Sequence, residues 1–429
     1  MAHKLDVWLF TEHVGSLGLV NGRLSFEYSA EWVQSPNAIP LSCSLPLQTA
    51  PFDDHVTRPF FAGLLPEGKM RQLIAQQLQV SGQNEFALLD HLGGECAGAV
   101  TFLEQGKALP QLSQDDDVQW LTDEALVRLL DELPHRPMLA GKDGLRLSLA
   151  GAQDKLPVIF DGTRVGLPRN GTPSSHILKP AIEAVEASVT NEGFCMALAD
   201  AMQLKPASAL IRKVGDREFL LVERYDRIVD SHGYRQRLHQ EDFCQALGVV
   251  SENKYQNEGG PDLAQCFDLV RRVTRPSAPH VLRLFDYVIF NALIGNHDAH
   301  GKNFSLLYSV KGPVLSPFYD TLSTAVYPKL AVKMAMKIGS KYKFTEIYGR
   351  HWAQFAHEVG LAKPQAKKRI LEVAQALPQI ARQLQADPNK GFAQHKLVEQ
   401  IIVLIEQRCA LTIQRLTVAD VQEEETPAN

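Results

Sequence analysis

The chain has 429 residues, of which 45% are hydrophobic and 22% charged, and a formal net charge of −5. That length calls for two or three packed units around a sizeable core. The mildly acidic balance excludes recognition of nucleic acid by overall charge, so any DNA contact has to be local.

The opening MAHKLDVWLF lacks the apolar run and small-residue cleavage site of a signal peptide, and no segment has the apolar length of a membrane span. A cytoplasmic protein is expected. Cys43, Cys96, Cys195, Cys244, Cys266 and Cys409 have neither zinc-site nor disulfide spacing and should be reduced, mostly buried thiols.

In chain order, LDVWLF, VGSLGLV and RLSFEYS read as strands, with Asn21-Gly22 as a hairpin turn. Pro66-Glu67-Gly68 marks a further turn and MRQLIAQQL a helix, giving an N-terminal α/β subdomain over 1–105 that ends near AGAVTFL. The polar, proline-bearing EQGKALPQLSQDDDVQ has linker composition. Strands LRLSL, LPVIF, HILK, ALIRKV and FLLVERY, with turns at Asp161-Gly162 and Gly215-Asp216 and a helix over NEGFCMALADAM, predict a mostly antiparallel sheet in a lobe spanning 106–228. From 229 to 420, EDFCQALG, DLAQCFDLVRRV, VLRLFDYVIFNALIG and much of 351–417 have helical spacing, and 421–429 form an acidic tail. The class is α+β, a sheet-rich lobe followed by a helix-rich one.

The polar stretch GNHDAHGKNFS stands between two fixed elements. In the preceding run Leu282, Phe285, Ile289 and Leu293 share one helical face, so a buried helix delivers the chain to His297 and Asp298, and FSLLYS leaves as a strand. Asp298 and Asn303 are five positions apart, the separation in the protein-kinase catalytic loop, where the aspartate takes the acceptor's proton and the asparagine holds magnesium. Alone, the pair reads more plainly as a capped, solvated loop.

Its company decides. Asp320, seventeen positions beyond Asn303, suits a second metal-binding carboxylate. Upstream, Lys179 ends the strand HILK and Glu192 opens a helix, which is how kinases clamp the α and β phosphates with a lysine held by an ion pair. Glu223 to Arg227 lie at the junction of the lobes, where an adenine hinge belongs. LSLAGAQDKLPV is a strand, turn, strand whose exposed N–H groups suit phosphate, although it is neither G-x-G-x-x-G nor a Walker loop. Taken singly, these are a turn aspartate, a surface lysine, a solvated glutamate and a charged strand end. Their order along the chain is the kinase order.

With SLAGAQDK, HILKP, ERYDR, LHQEDFCQALG, KYQNEGGP, NHDAHGKNFS, PFYDTLST, FAGLLPEG and LGGECAGAV in place, the sequence resembles the HipA-family toxin serine/threonine kinases nearly end to end. The resemblance implies a protein-kinase-like two-lobed fold with an additional N-terminal subdomain, and the use of ATP and Mg²⁺. It makes Asp298 the catalytic base, Asn303 and Asp320 the metal ligands, and Lys179 the phosphate clamp with Glu192 as its structural ion pair. Ala150, Gly151, Ala152, Gln153 and Lys155 would form the phosphate loop. Glu223 and Tyr225 would meet the adenine, with Asp226, Gln240, His300 and Lys302 as further nucleotide or phosphate neighbours. Ser148 matches the serine that the family autophosphorylates; the added charge would expel the loop from its phosphate-binding pose.

The implied partners are a HipB-like helix-turn-helix antitoxin dimer, operator DNA reached mainly through it, and a protein substrate concerned with translation, such as glutamyl-tRNA synthetase. Lys367, Lys368 and Arg369 form the local basic patch for direct DNA backbone contact. D-F-G, A-P-E, V-A-I-K and H-R-D are missing, so control falls to the Ser148 loop. Two alternatives stay open. One is a metal-dependent HD-type phosphohydrolase built on His297, Asp298, His300 and Asp320, with His239 or His280 upstream. The other is a catalytically inactive scaffold of a DNA-bound repressor.

Overall fold

In the computed structural model, which describes residues 4–110, 117–142 and 145–424 with side chains as far as 418, the chain forms two compact units. The first comprises Met1–Glu183, Leu210–Glu252 and Ser305–Ser316; the second comprises Ala184–Ala209, Asn253–Phe304 and Pro317–Asn429. The centre of the expected linker, 111–116, and the end of the acidic tail, 425–429, lie outside the described residues.

The first unit opens with β1 (Lys4–Leu9), β2 (Glu12–Val20) and β3 (Arg23–Tyr28), and β4 (Val100–Glu104) completes a sheet of order β3-β2-β1-β4. Asn21 and Gly22 both take positive φ, 52° and 77°, which is what a two-residue turn between twisted strands demands. Alternation buries Leu5, Val7 and Leu9 of β1 under the helices Asp54–Gly63, Gly68–Gln77 and Glu85–Leu92, beside Phe60, Phe61, Ile74 and Leu89.

A second sheet is built from β5 (Val118–Trp120), β6 (Leu156–Phe160), β7 (Val165–Pro168), β8 (His176–Pro180), β9 (Ala209–Val214) and β10 (Arg217–Glu223), in the order β5-β7-β6-β8-β10-β9. The same hydrophobic cluster that holds Leu5 and Phe61 continues through Leu156, Val158, Leu178, Phe219 and Leu221. The segments 1–105 and 106–183 therefore share one core. Two smaller sheets complete the unit: β11 (Arg227–Val229) with β12 (Arg235–Arg237), and β13 (Gln240–Asp242), β14 (Ser305–Ser309) and β15 (Gly312–Leu315) side by side.

Two expectations need correction in this unit. LRLSL is not a strand: only Leu147 makes an isolated bridge, to Glu95. Its alternation records burial of Leu145, Leu147 and Leu149 without pairing into a sheet. EDFCQALG yields only the single turn Phe243–Ala246, capped by Asp242, and the change to helix comes after Glu252 because the charged segments RIV, RQR and QED pair as strands.

The second unit is helical, with Ser188–Ala201, Leu263–Val273, Ser277–Ile294, Gly349–Glu358, Lys363–Ala386 and Lys396–Glu424. Asp262 starts the second of these with a reciprocal cap: its carboxylate accepts from Gln265 N at 2.7 Å and Gln265 Oε1 accepts from its own N–H at 3.0 Å. Phe285 stacks on Phe355, and Tyr287 on Phe318 at 4.3 Å between ring centres. From Leu284 to Ile294 the central helix is buried on nearly every side. Leu282, expected on that buried face, is 55% exposed, because the first turns of the helix stand out in solvent.

The six cysteines are free thiols, all buried except the half-buried Cys43. Among the described residues, no helix is long and apolar enough to cross a membrane.

Candidate active site

The helix Ser277–Ile294 ends on Gly295, whose φ of 79° and ψ of 33° give the left-handed cap that glycine adopts without strain. The loop that follows is tied down residue by residue within the second unit. Asn296 bonds Asn291 through both backbone and side chain at 2.9 Å, and its Oδ1 accepts from Asp298 N at 3.1 Å. His297 N donates to Thr324 Oγ1 at 2.8 Å. Asp298 is exposed, on a loop whose neighbouring positions are almost all buried. Its Oδ1 accepts a hydrogen bond from Tyr255 Oη at 2.8 Å, and the Tyr255 ring meets the edge of His300 at 5.2 Å.

Asn303 is buried and held in place on both sides. Its Oδ1 accepts from His300 N at 3.0 Å, and its Nδ2 donates to Asp320 Oδ2 at 2.8 Å. The separation read from the sequence thus brings Asn303 and Asp320 together. Asp320 takes a φ of +54°, unusual for a residue with a side chain and typical of functional sites. Carboxylate and amide oxygens are the hard donors that magnesium takes, with one or two carboxylates beside waters and substrate phosphates. A carbonyl oxygen with two lone pairs keeps acceptor capacity after one hydrogen bond, so the donor set fits that ion. Lys302 is buried in the same loop, and its carbonyl accepts from Tyr319 Oη at 2.8 Å.

The phosphohydrolase alternative needs a free ring nitrogen on His297, and here both have partners. Its Nδ1 meets the carbonyl of Ala331 at 2.8 Å and so carries the proton, while Nε2 meets Arg408 Nη2 at 2.9 Å and so accepts. Both nitrogens are engaged, and burial, opposed by the Ala331 bond and aided by Arg408, depresses the pKa of the ring. Among the described residues, no three His, Cys, Asp or Glu side chains converge as metal ligands. His239 lies in the first unit, buried, with Nε2 donating to Leu41 O at 2.7 Å.

The first unit carries most of the remaining candidates. Ser148 is fully buried; its hydroxyl donates to Leu64 O at 2.8 Å and its N–H to Glu95 O at 3.0 Å. The following loop, Ala150 to Lys155, ranges from half-buried to exposed, and Gly151 O accepts from Glu67 N at 3.0 Å, which fastens it to the turn Pro66-Glu67-Gly68. A side chain at Gly151 would run into Lys155 Nζ, 2.6 Å from its Cβ. Lys179 is buried on β8, paired opposite Leu220 of β10. In the second unit Glu192 is buried in the helix Ser188–Ala201.

Beyond the exposed Glu223, Tyr225 Oη donates to Gln240 Oε1, and Gln240 Nε2 donates to Asp226 Oδ2 at 3.0 Å. Asp226 also accepts from Gly98 N at 2.7 Å and from Arg224 at 2.8 and 2.9 Å, and Arg227 lies at 3.0 Å. Arg224, Arg227 and Arg237 converge in turn on Glu95, at 3.2, 2.8 and 2.5 Å. Burial by itself would raise both carboxyl pKa values, but the arginines outweigh it, holding Asp226 at about 2 and Glu95 well below the usual range. Asp226, expected beside the nucleotide, therefore serves first as a buried counter-ion that ties the segment Arg224–Arg227 to Gly98.

Residues 5–103 match the HipA N-terminal domain, and residues 147–381 match the HipA-like C-terminal domain. A Sinorhizobium fredii protein named "Putative kinase Y4mE" is 46% identical over 385 residues, which cover 89% of this chain and 92% of that protein. The serine/threonine-protein kinase toxin HipA of Shewanella oneidensis is 29% identical over 86% of this chain and 87% of its own length. Its HipA, solved in a complex with HipB and operator DNA, superposes with a TM-score of 0.83 and 26% identity over 98% of this chain and 100% of that one. The chain belongs to the HipA-like family of serine/threonine kinases.

In this HipA-like chain, one part of the expected DNA-contact patch has another role. Arg369 makes a bidentate pair with Asp286, at 2.7 and 2.9 Å, and reaches Glu372 at 3.3 Å, so its fork is occupied within the unit. Lys368 is exposed and Lys367 half-buried. Two site residues escaped the sequence reasoning. Tyr255 belongs to KYQNEGGP, a stretch that carried the family resemblance and whose two glycines were the available signal. Arg408, which fixes His297 and packs over Phe344 at 4.4 Å, sits in the middle of a long helix and gave none.

Proposed function

We propose that this HipA-like kinase is the toxin of a toxin–antitoxin pair and transfers the γ-phosphoryl group of ATP to a serine or threonine hydroxyl. Asp298 takes the hydroxyl proton as the oxygen bonds to the γ-phosphorus, and ADP leaves with the electrons of the broken phosphorus–oxygen bond. Asn303 and Asp320 would hold magnesium, which when bound would neutralise charge on the phosphates. Lys179 clamps the α and β phosphates. The backbone at Glu223 and Tyr225 takes the adenine, with Gln240, His300, Lys302 and the Ala150–Lys155 loop around the nucleotide.

Ser148 is the autophosphorylation site. Its hydroxyl is sealed against Leu64 O, and a phosphate of about −1.5 to −2 charge has no place there, so the loop leaves when it is modified. A HipB-like helix-turn-helix antitoxin dimer, and operator DNA reached through it, are the partners. The Shewanella assembly of HipA, HipB and operator DNA supports that reading. The protein acts in the cytoplasm, and family resemblance points to a translation protein such as glutamyl-tRNA synthetase as its substrate.

The observation that carries the kinase reading is the 2.8 Å bond to Asp320 made by Asn303, which shares its loop with Asp298. The test is radiolabel transfer from Mg-ATP by the purified chain and its Asp298→Asn variant. Transfer should fall by about 10²–10⁴-fold, the usual worth of a general base, with ATP affinity retained. Undiminished transfer would remove Asp298 from the role.

A further inference from the structure

We infer that the segment from Lys329 to Lys343 is the docking strip for the protein substrate, and that it selects acceptor hydroxyls flanked by acidic residues. This inference rests on the kinase reading and says which acceptors that site takes.

The segment is stitched to the loop that carries Asp298. Ala335 N donates to His297 O at 2.8 Å, and Ala331 O accepts from His297 Nδ1 at 2.8 Å. On its other side Gln256 N donates to Ala335 O at 3.1 Å, and Lys337 N donates to Gln256 Oε1 at 2.7 Å. Gln256 follows Tyr255, whose hydroxyl bonds Asp298. The strip is thus laced between the two segments whose side chains meet at the base. An extended peptide advances about 3.3 Å per residue, so residues within a few positions of an acceptor held at Asp298 have the length to reach a strip bonded to His297 and Gln256.

The charge of the strip is opposite to that of the chain. Lys329, Lys333, Lys337, Lys341 and Lys343 fall within fifteen residues of a protein whose net charge is −5, and Glu346 is the only acidic residue between Asp320 and Glu358. Lys341 and Lys343 share it at 3.8 and 3.7 Å. Lys329, Lys333 and Lys343 are exposed. Between the first two stand Leu330, 39% exposed, and Val332, 61% exposed.

Lysines interleaved with aliphatic side chains suit an acidic polypeptide with apolar neighbours better than a nucleic acid. Phosphate recognition favours the arginine fork and aromatic stacking. Here no arginine occurs between Arg283 and Arg350, and Tyr342 is half-buried with Lys337 Nζ 5.0 Å from its ring centre.

The experiment compares two serine peptides of equal length, one flanked by glutamates and one by lysines, with the full-length chain and Mg-ATP. The acidic peptide should show a kcat/KM higher by on the order of tenfold, a preference that fades as salt screens the pairs. Lys329→Glu with Lys333→Glu should reverse it while the KM for ATP stays within twofold, and Lys333→Gln should weaken it partway. Equal turnover of the two peptides, or a preference the charge-reversed chain keeps, would overturn the inference and leave the kinase reading standing. Inhibition by an RNA homopolymer that the charge reversal abolishes, with no peptide preference, would make the strip a nucleic-acid surface instead. Failure to label either peptide or the chain itself would remove the kinase reading, and this one with it.

Discussion

Tyr255 Oη lies 2.8 Å from Asp298 Oδ1, forty-three positions away in the chain. A hydrogen bond to a charged carboxylate is worth about 1.5–3 kcal/mol, enough to fix which way an exposed side chain faces. Tyr255→Phe should therefore lower kcat for phosphoryl transfer by about tenfold, with the KM for ATP unchanged. Steady-state kinetics on any accepted substrate would decide. An unaltered kcat would show that Asp298 needs no orienting bond from Tyr255.

Ser148→Ala should abolish self-labelling by ATP while transfer to other proteins survives, at a stability cost of about 1 kcal/mol for the lost bond to Leu64 O. Because that hydroxyl is fully buried, self-labelling of the unaltered chain should also run at a rate limited by loop opening, and so reach a plateau that extra ATP does not raise. Mass spectrometry over a time course reads both. Stoichiometric labelling of the alanine variant would place the acceptor elsewhere.

His239 should make stability fall on mild acidification. Burial lowers its imidazole pKa to about 4, although the bond to Leu41 and the charge of Asp226 both work to raise it. The unfolded chain titrates near 6.5, so between about 6.5 and 4 the unfolded state binds the proton that the folded state refuses. The contribution is whole above pH 6.5 and is lost as pH falls towards 4, on the order of 3 kcal/mol in all. Denaturant midpoints at pH 7 and pH 5 should differ less for His239→Gln, whose amide can still donate to Leu41 O. An identical pH dependence in the variant would exclude His239 as the source.

What could be read from the residues alone was local. Asn21-Gly22 fixed a hairpin because two adjacent positive φ angles suffice for it, and the five-residue spacing of Asp298 and Asn303 located the loop because both residues sit on one short turn. An ordered family motif singled out Asn303 and Asp320 separately, and the hydrogen bond between them is a contact that the motif did not name. Pairings without a local signature were not foreseen. Periodicity marked Leu145, Leu147 and Leu149 as inward-facing but could not tell packing against helices from pairing into a sheet. Arg369 looked like a free cation because Asp286, its partner, lies eighty-three positions back. Glu95 and Arg224 meet only once the fold is made.

The placement of β14 and β15 bears on how the polypeptide can be made and cut. These strands occupy residues 305–315, between Asn303 and Asp320, yet they complete the small sheet begun by β13 in the first unit. A nascent chain that has cleared the ribosome as far as Glu252 still lacks them, and β13 waits with an open edge. Recombinant fragments stopping there would present the same raw edge to one another, so neither unit can be produced from a single uninterrupted stretch of the gene.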